Sequence, residues 1–197
     1  MFRSKVTRIN YTLNMAITEL NMAHEEELLK VLEKKIIAGI DKQSDKNNNY
    51  LTNVQGKMTA FNFFNSDPDF KLFLESMFFR WSQDSLFYED MNKKTRMYKC
   101  NIVNSWGSIL TKKDFVRRHD HLGTDFASVL YFGDSVINID STDKSANYKR
   151  QLSAQRGIVI TFPSYVQHWV DPVNIPGKRV TLAWNWSFDK PWGDKAS

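Results

Sequence analysis

Apolar positions in the first part of the chain recur at spacings of three and four residues. Leu28, Leu29, Leu32, Ile36 and Ile40 stand between charged residues, which predicts an amphipathic helix over 24–40 that ends near Gly39. A second helix is predicted from Phe70, Phe73, Leu74, Met77, Phe78 and Trp81. Asp67 is its N-cap, Pro68 its first helical residue, and the pattern stops near Lys93-Lys94-Thr95. Its aromatic stripe reads as core backing a sheet and not as a cofactor box. Ahead of these helices, residues 6–20 alternate loosely and read as one or two short strands. Residues 43–49 form a polar loop, and 53–59 a turn into the next segment.

From Met97 the period changes. Short apolar runs separated by turn residues cover 98–109, 126–132, 136–139, 157–162 and 180–186, with a polar loop at 140–147. Several short strands after helices predict a mainly β, α+β fold, a β-sandwich or jelly roll with the N-terminal helices packed on one sheet. One domain over 1–197 is expected, with a helical support region at 1–96 and a jelly-roll core at 97–190.

Composition narrows the class. The 197 residues are 42% hydrophobic, with 14 Phe, 7 Tyr and 6 Trp, which describes a globular chain and excludes a disordered one. The formal charge of +5 comes from 27 Lys and Arg against 22 Asp and Glu. It is dispersed in pairs such as Lys34-Lys35, Lys93-Lys94, Lys112-Lys113 and Arg117-Arg118. A nucleic-acid binder carries a denser basic face, so nucleic acid ranks last among partners. The single Cys100 suits a reducing compartment, and neither a membrane span nor a signal peptide is visible. A soluble, cytoplasmic protein with no membrane association is the expectation, and oligomeric state is not legible.

Candidate chemistry concentrates in the histidines. There are four, and three lie in two places: His119 and His121 within Arg118-His119-Asp120-His121, and His168 after Phe162-Pro163-Ser164. On a strand His119 and His121 share one face while Asp120 turns to the other. A third imidazole from a later strand completes one side of a metal ion, with open positions for other ligands, and imidazole suits iron, zinc, copper and nickel. The competing reading is a chance His-x-His pair on a solvated strand. Asp125 has the parity to be an additional ligand. His24, beside Glu25-Glu26-Glu27 at a helix start, reads as structural or solvated. Arg179 and Thr181 also share a strand face, and a guanidinium is the side chain best suited to grip a carboxylate. Its competing reading is a surface ion pair.

These residues carry a family resemblance. The run NSWGSILTKKDFVRRHDH, residues 104–121, resembles the approach to the metal site in the iron(II) and 2-oxoglutarate-dependent oxygenases. The likeness is to a prolyl-hydroxylase-like group of bacterial and phage genomes in which a tryptophan precedes an H-x-H run. The glycine, apolar strand and F-P-S sequence of 157–164 leading to His168 is similar to the same group, as is Arg179 opening RVTLAWN. The likeness covers most of the chain and is strongest over 104–187.

The resemblance implies a double-stranded β-helix that hydroxylates an unactivated C–H bond. Its metal ligands would be His119, His121 and His168, and Arg179 with Thr181 would anchor 2-oxoglutarate, assisted by Tyr131 and Asn185. It implies Fe(II), 2-oxoglutarate and O2 as cofactor and cosubstrates, with ascorbate a possible addition. Trp106 and Trp184 would wall the pocket or simply fill core. A peptidyl substrate, with proline foremost, ranks ahead of a small metabolite. Two rival readings stay open. One is a cupin-type metal enzyme or binding module that does not use 2-oxoglutarate, which would use His119, His121, Asp125 and His168 and have no need of Arg179. The other is an interaction protein that kept the fold without the iron.

Overall fold

The computed structural model describes residues 5–10, 14–42, 53–82, 100–140, 149–174 and 177–188. In chain order the elements are β1 (Lys5–Asn10), β2 (Asn14–Asn21), α1 (Glu26–Lys42), β3 (Val54–Gln55), β4 (Lys57–Met58), α2 (Pro68–Ser82), β5 (Cys100–Leu110), β6 (Phe115–His119), β7 (Phe126–Tyr131), β8 (Ser135–Asp140), β9 (Lys149–Ala154), β10 (Ile158–Pro163), β11 (Gln167–Val170) and β12 (Arg179–Phe188).

The strands form two antiparallel sheets. A larger one has the order β1-β2-β10-β7-β12-β5-β4, and a smaller one the order β3-β6-β11-β8-β9. From β5 to β12 the chain crosses from one sheet to the other at every step except the β8–β9 hairpin, the winding of a jelly roll. The segment before α2 supplies β1 to β4 to these sheets as well as α1.

Both helices form where the apolar spacing places them, for local reasons. Asp67 Oδ1 accepts hydrogen bonds from the backbone N–H of Asp69 and of Phe70, each at 3.0 Å, so two donors at the start of α2 are satisfied. A cap of this kind contributes about 1 kcal/mol. Lys35 of α1 reaches both Asp67 and Asp69, at 2.6 and 2.5 Å, and ties the two helices together. Leu29, Leu32 and Ile36 of α1 are fully buried against the larger sheet, each worth about 2 kcal/mol of apolar burial. From α2, the rings of Phe70 and Phe73 stand edge-on to Trp184 at 5.5 and 6.3 Å. Arg156 fastens α1 to the β9–β10 turn through Glu26 at 3.0 Å, Glu33 at 2.6 Å and the Phe132 carbonyl at 3.1 Å.

A second apolar cluster lies between the sheets and includes Ile17, Tyr131, Ile137, Ile139, Ile160 and Phe162. Two glycines are dictated by close approach. A Cβ at Gly107 would stand 2.5 Å from Ile36 Cγ1, and one at Gly157, where φ is +84°, would stand 2.7 Å from the Ala23 backbone.

Three strands carry no apolar run that would announce them. In β9 only Leu152 and Ala154 are apolar and both are buried, β6 ends in Arg117-Arg118-His119, and β11 is four residues long. The expected polar loop at 43–49 and the expected helix stop at 93–95 lie outside the described residues, as does most of the expected loop at 140–147.

Gly107→Ala should lower stability by about 1–3 kcal/mol, because the added methyl overpacks the α1–β5 contact. Thermal melts should show that cost largely removed in an Ile36→Ala background. An equal cost in both backgrounds would mean that Ile36 is not what the methyl meets.

Candidate metal centre

The three histidines meet because of sheet register. β6 and β11 run antiparallel with His168 directly opposite His119, and β11 also pairs with β8 so that His168 faces Ile139 across that ladder. His121 lies just past the end of β6 and is held by backbone pairing: its N–H donates to the Ser164 carbonyl at 2.8 Å, and its carbonyl accepts from Thr124 Oγ1 at 3.0 Å. Ser164 Oγ in turn donates to the Thr124 carbonyl. The two segments that carry the histidines are thereby stitched together outside the sheet ladder. On the opposite face of the smaller sheet, Arg118 joins Gln167 at 2.7 Å and Asp140, with its guanidinium over Trp169 at 5.4 Å.

Ring centroids of His119, His121 and His168 are separated by 4.2 to 5.0 Å, and one nitrogen from each lies within 4.8 Å of the others. His121 Nε2 and His168 Nε2 are 3.3 Å apart. Two nitrogens at about 2.1 Å from a common ion and about 100° apart as seen from it stand about 3.2 Å from each other, so this spacing fits adjacent ligands of one metal. His119 Nδ1–H donates to the Arg117 carbonyl at 2.7 Å and His168 Nδ1–H to the Val166 carbonyl at 3.1 Å, which leaves Nε2 of each as a lone pair.

All three imidazoles are kept in the neutral, metal-binding form. Burial is the main cause in each case. It lowers the pKa of His119, lowers that of His121 to about 4 with help from His119, and holds His168 well below its ordinary value with help from both neighbours. No carboxylate joins them: among the described residues the ligand cluster contains the three histidines only. The Asp120 carboxylate faces its own turn, with the Leu122 N–H at 3.5 Å. Asp125 serves as a backbone joint, its N–H meeting the Trp186 carbonyl at 3.2 Å and its carbonyl accepting from the Ser164 N–H at 3.0 Å. His24 is remote from this centre, exposed, with Nε2 3.5 Å from Glu25.

Beside the histidines lies a chamber of about 60 Å³ between the sheets, bordered by Tyr131, Ile137, Arg179, Thr181 and Asn185. Alternation along β12 sends Arg179, Thr181 and Asn185 to this side and Val180, Leu182 and Trp184 to the helix-facing core. Arg179 is only 8% exposed, and its Nε and Nη1 have no acceptor among the described residues. Its guanidinium stands 5.5 Å from the Tyr131 ring centroid. Burial pushes the Tyr131 hydroxyl up to about 12, and the Arg179 charge opposes that rise.

Two features that sequence reading did not assign emerge here. Ser108, cross-strand partner of Thr181, shares a 2.7 Å hydrogen bond with its hydroxyl. Asn185, expected to assist the cosubstrate, has its amide against His121 Nδ1 at 3.2 Å. Trp106 borders the chamber with its ring 6.0 Å from His121, and Trp184 also contributes to the chamber wall while its ring packs among the helix phenylalanines. A larger cavity of about 420 Å³ contains none of the histidines and shares only Val170 and Arg179 with the chamber. Among the described residues no helix is long and apolar enough to cross a membrane.

No protein-family model and no curated protein sequence matches the chain. Solved structures do match. A prolyl-4-hydroxylase of Pseudomonas putida superposes with a TM-score of 0.59 at 13% identity, covering 87% of this chain and 92% of that one. The viral collagen prolyl hydroxylase of Paramecium bursaria Chlorella virus-1, determined as a 2OG complex, gives 0.54 at 12% identity over 86% and 94%. The non-heme alpha-ketoglutarate-dependent carbocyclase SnoK from nogalamycin biosynthesis gives 0.62 at 8% identity over 88% and 79%. At these identities the likeness is one of fold: the chain has the jelly roll found in 2-oxoglutarate and iron(II) oxygenases.

The histidine shifts set the acid stability of the metal-free protein. Below the ordinary histidine pKa of about 6.5 the unfolded chain takes up protons that the folded centre refuses, so stability is full above that pH and falls as pH drops towards 4. For His121 alone the loss is about 3 kcal/mol, from its displacement to about 4. Denaturant titrations between pH 7 and pH 4 should show a slope that flattens in His121→Gln. An unchanged slope would place the acid-sensitive groups elsewhere.

Proposed function

We propose that this protein is an iron(II)- and 2-oxoglutarate-dependent oxygenase that hydroxylates an unactivated C–H bond. The observation that carries the reading is Arg179, a buried cation with two unpaired N–H donors, on the wall of the chamber beside a convergent three-histidine centre. A buried charge without a partner costs several kcal/mol, and a ligand carboxylate is the group that removes the cost. Three neutral imidazoles next to a guanidinium also leave the chamber short of negative charge, which suits a dianionic cosubstrate. A cupin-type centre would give Arg179 nothing to hold.

His119, His121 and His168 hold the iron, and imidazole suits that metal. When bound, iron and 2-oxoglutarate supply oxidative decarboxylation: one oxygen atom of O2 goes into succinate as CO2 leaves, and the other is inserted into the substrate C–H bond. The chain's own residues bind, orient and exclude water. Arg179 holds the far carboxylate of 2-oxoglutarate by charge and N–H donation from its guanidinium, and Thr181, its hydroxyl steadied by Ser108, donates to the same group. Tyr131, kept protonated by burial, offers its O–H from the adjacent strand. The apolar walls formed by Ile137 and the Trp106 ring limit water, which strengthens each of these contacts. For the substrate we favour a peptidyl side chain, proline first. The fold likeness to two prolyl hydroxylases supports that choice, and a small metabolite ranks next.

Iron-loaded protein supplied with 2-oxoglutarate and O2 should form succinate slowly even without substrate. His168→Ala should abolish this, and Arg179→Ala should raise the 2-oxoglutarate concentration needed on the order of a hundredfold, the equivalent of about 3 kcal/mol. Wild type that binds iron but neither binds nor consumes 2-oxoglutarate would sink the oxygenase reading. Screening proline-containing peptides for gain of one oxygen atom by mass spectrometry tests the substrate. Products found only on free metabolites would overturn the peptidyl choice.

A further inference from the structure

His121 stands where its Nε2 faces His168 and its Nδ1 faces Asn185, so it can join the metal only through Nε2. A neutral imidazole bound through Nε2 carries its hydrogen on Nδ1. That hydrogen points at Asn185 Nδ2, 3.2 Å away, which is itself a donor. The other half of the amide tells the same story. Asn185 is only 5% exposed, and its Oδ1 is buried with no donor among the described residues. Asn104 lies directly opposite Asn185 on β5, and its Oδ1 is also buried without a donor. Two orphaned acceptors on a cross-strand pair and two opposed donors at the histidine form one mismatch.

A half-turn of the Asn185 amide exchanges its nitrogen and oxygen at almost no steric cost and removes that mismatch. Oδ1 then accepts from His121 Nδ1–H, while Nδ2 takes the place of the orphaned oxygen, on the strand pair that also carries the orphaned oxygen of Asn104. We propose that Asn185, backed by Asn104, is the positioning residue of the metal centre: in the loaded site its amide oxygen holds His121 in the Nδ1–H tautomer with Nε2 aimed at the metal. His119 and His168 obtain the same service from the Arg117 and Val166 carbonyls two residues before each. His121 sits beyond the end of β6 and takes its acceptor from a side chain on β12. The inference rests on the metal-centre reading and assigns to Asn185 a role towards the metal, distinct from a contact with 2-oxoglutarate.

The test is metal affinity, measured without 2-oxoglutarate by competition of cobalt(II) and zinc(II) against a chromophoric chelator. Outer partners of this kind are worth about 10–100-fold in affinity. Asn185→Leu should weaken binding by that factor, Asn185→Asp, which keeps the acceptor, should bind within a few fold of wild type, and Asn104→Leu should fall between them. Equal weakening by Asn185→Leu and Asn185→Asp, or an Asn185→Leu protein that binds as wild type does, would overturn the proposal. Nitrogen-15 NMR of zinc-loaded wild type gives a readout free of any variant's folding. His121 should show a protonated Nδ1 with a cross-relaxation contact to the Asn185 amide, and zinc on Nδ1 would overturn the proposal. Wild type that takes up neither ion fails the metal-centre reading itself, whereas uptake with no dependence on Asn185 fails this inference alone.

Discussion

The pairing of β12 with β5 along its whole length and with β7 over Thr181–Trp186 is the constraint on which the rest depends. A strand held on both edges cannot slip, because a shift by one residue would exchange every side chain between its two faces. Held in register, β12 sends Leu182 and Trp184 into the helix-backed core and Arg179, Thr181 and Asn185 towards the chamber. The apolar burial on one face thus secures a buried cation and two polar groups on the other. Each of those groups is costly unless satisfied.

The helices act on the centre through β5 and β12. α1 approaches β5 closely enough that only glycine fits at Gly107, and α2 stacks its phenylalanines against Trp184. These contacts fix β5 and β12 from behind, so Ser108 and Thr181 meet at 2.7 Å within the chamber. On the other sheet the β6–β11 pairing does the equivalent for His119 and His168. The functional groups come from facing sheets, and the closed space between them supplies the low dielectric that keeps the imidazoles neutral.

The buried polar groups of the site fall into two sets. His119 and His168 have their Nδ1 hydrogens placed on backbone carbonyls. Arg179, Asn185 and Asn104 retain unpaired buried atoms. Unpaired buried donors and acceptors are rare in folded proteins, and in the proposed oxygenase the Arg179 donors are met by the cosubstrate and Asn185 Oδ1 by His121. Among the described residues no carboxylate joins the ligand cluster, so in the proposed oxygenase the compensating negative charge comes from the cosubstrate.

The sequence by itself determined the inventory and the local geometry. Apolar spacing placed α1 and α2, the Asp67-Pro68 pair placed the start of α2, and strand alternation put Arg179 and Thr181 on one face. The unusual confinement of three histidines to two short stretches pointed to a metal. All of these are properties of neighbouring residues. Strands such as β6, β9 and β11 were hidden because a short strand with a polar outer face has no periodic signal to distinguish it from loop. The tertiary structure alone decided which residues stand opposite one another: His168 against His119, Ser108 against Thr181, Asn104 against Asn185. It also decided that Asp120 and Asp125 stay out of the ligand cluster and that the Asn185 amide meets His121. Register is a long-range property, set when two distant strands bury their apolar faces together, and no local pattern in either strand encodes it.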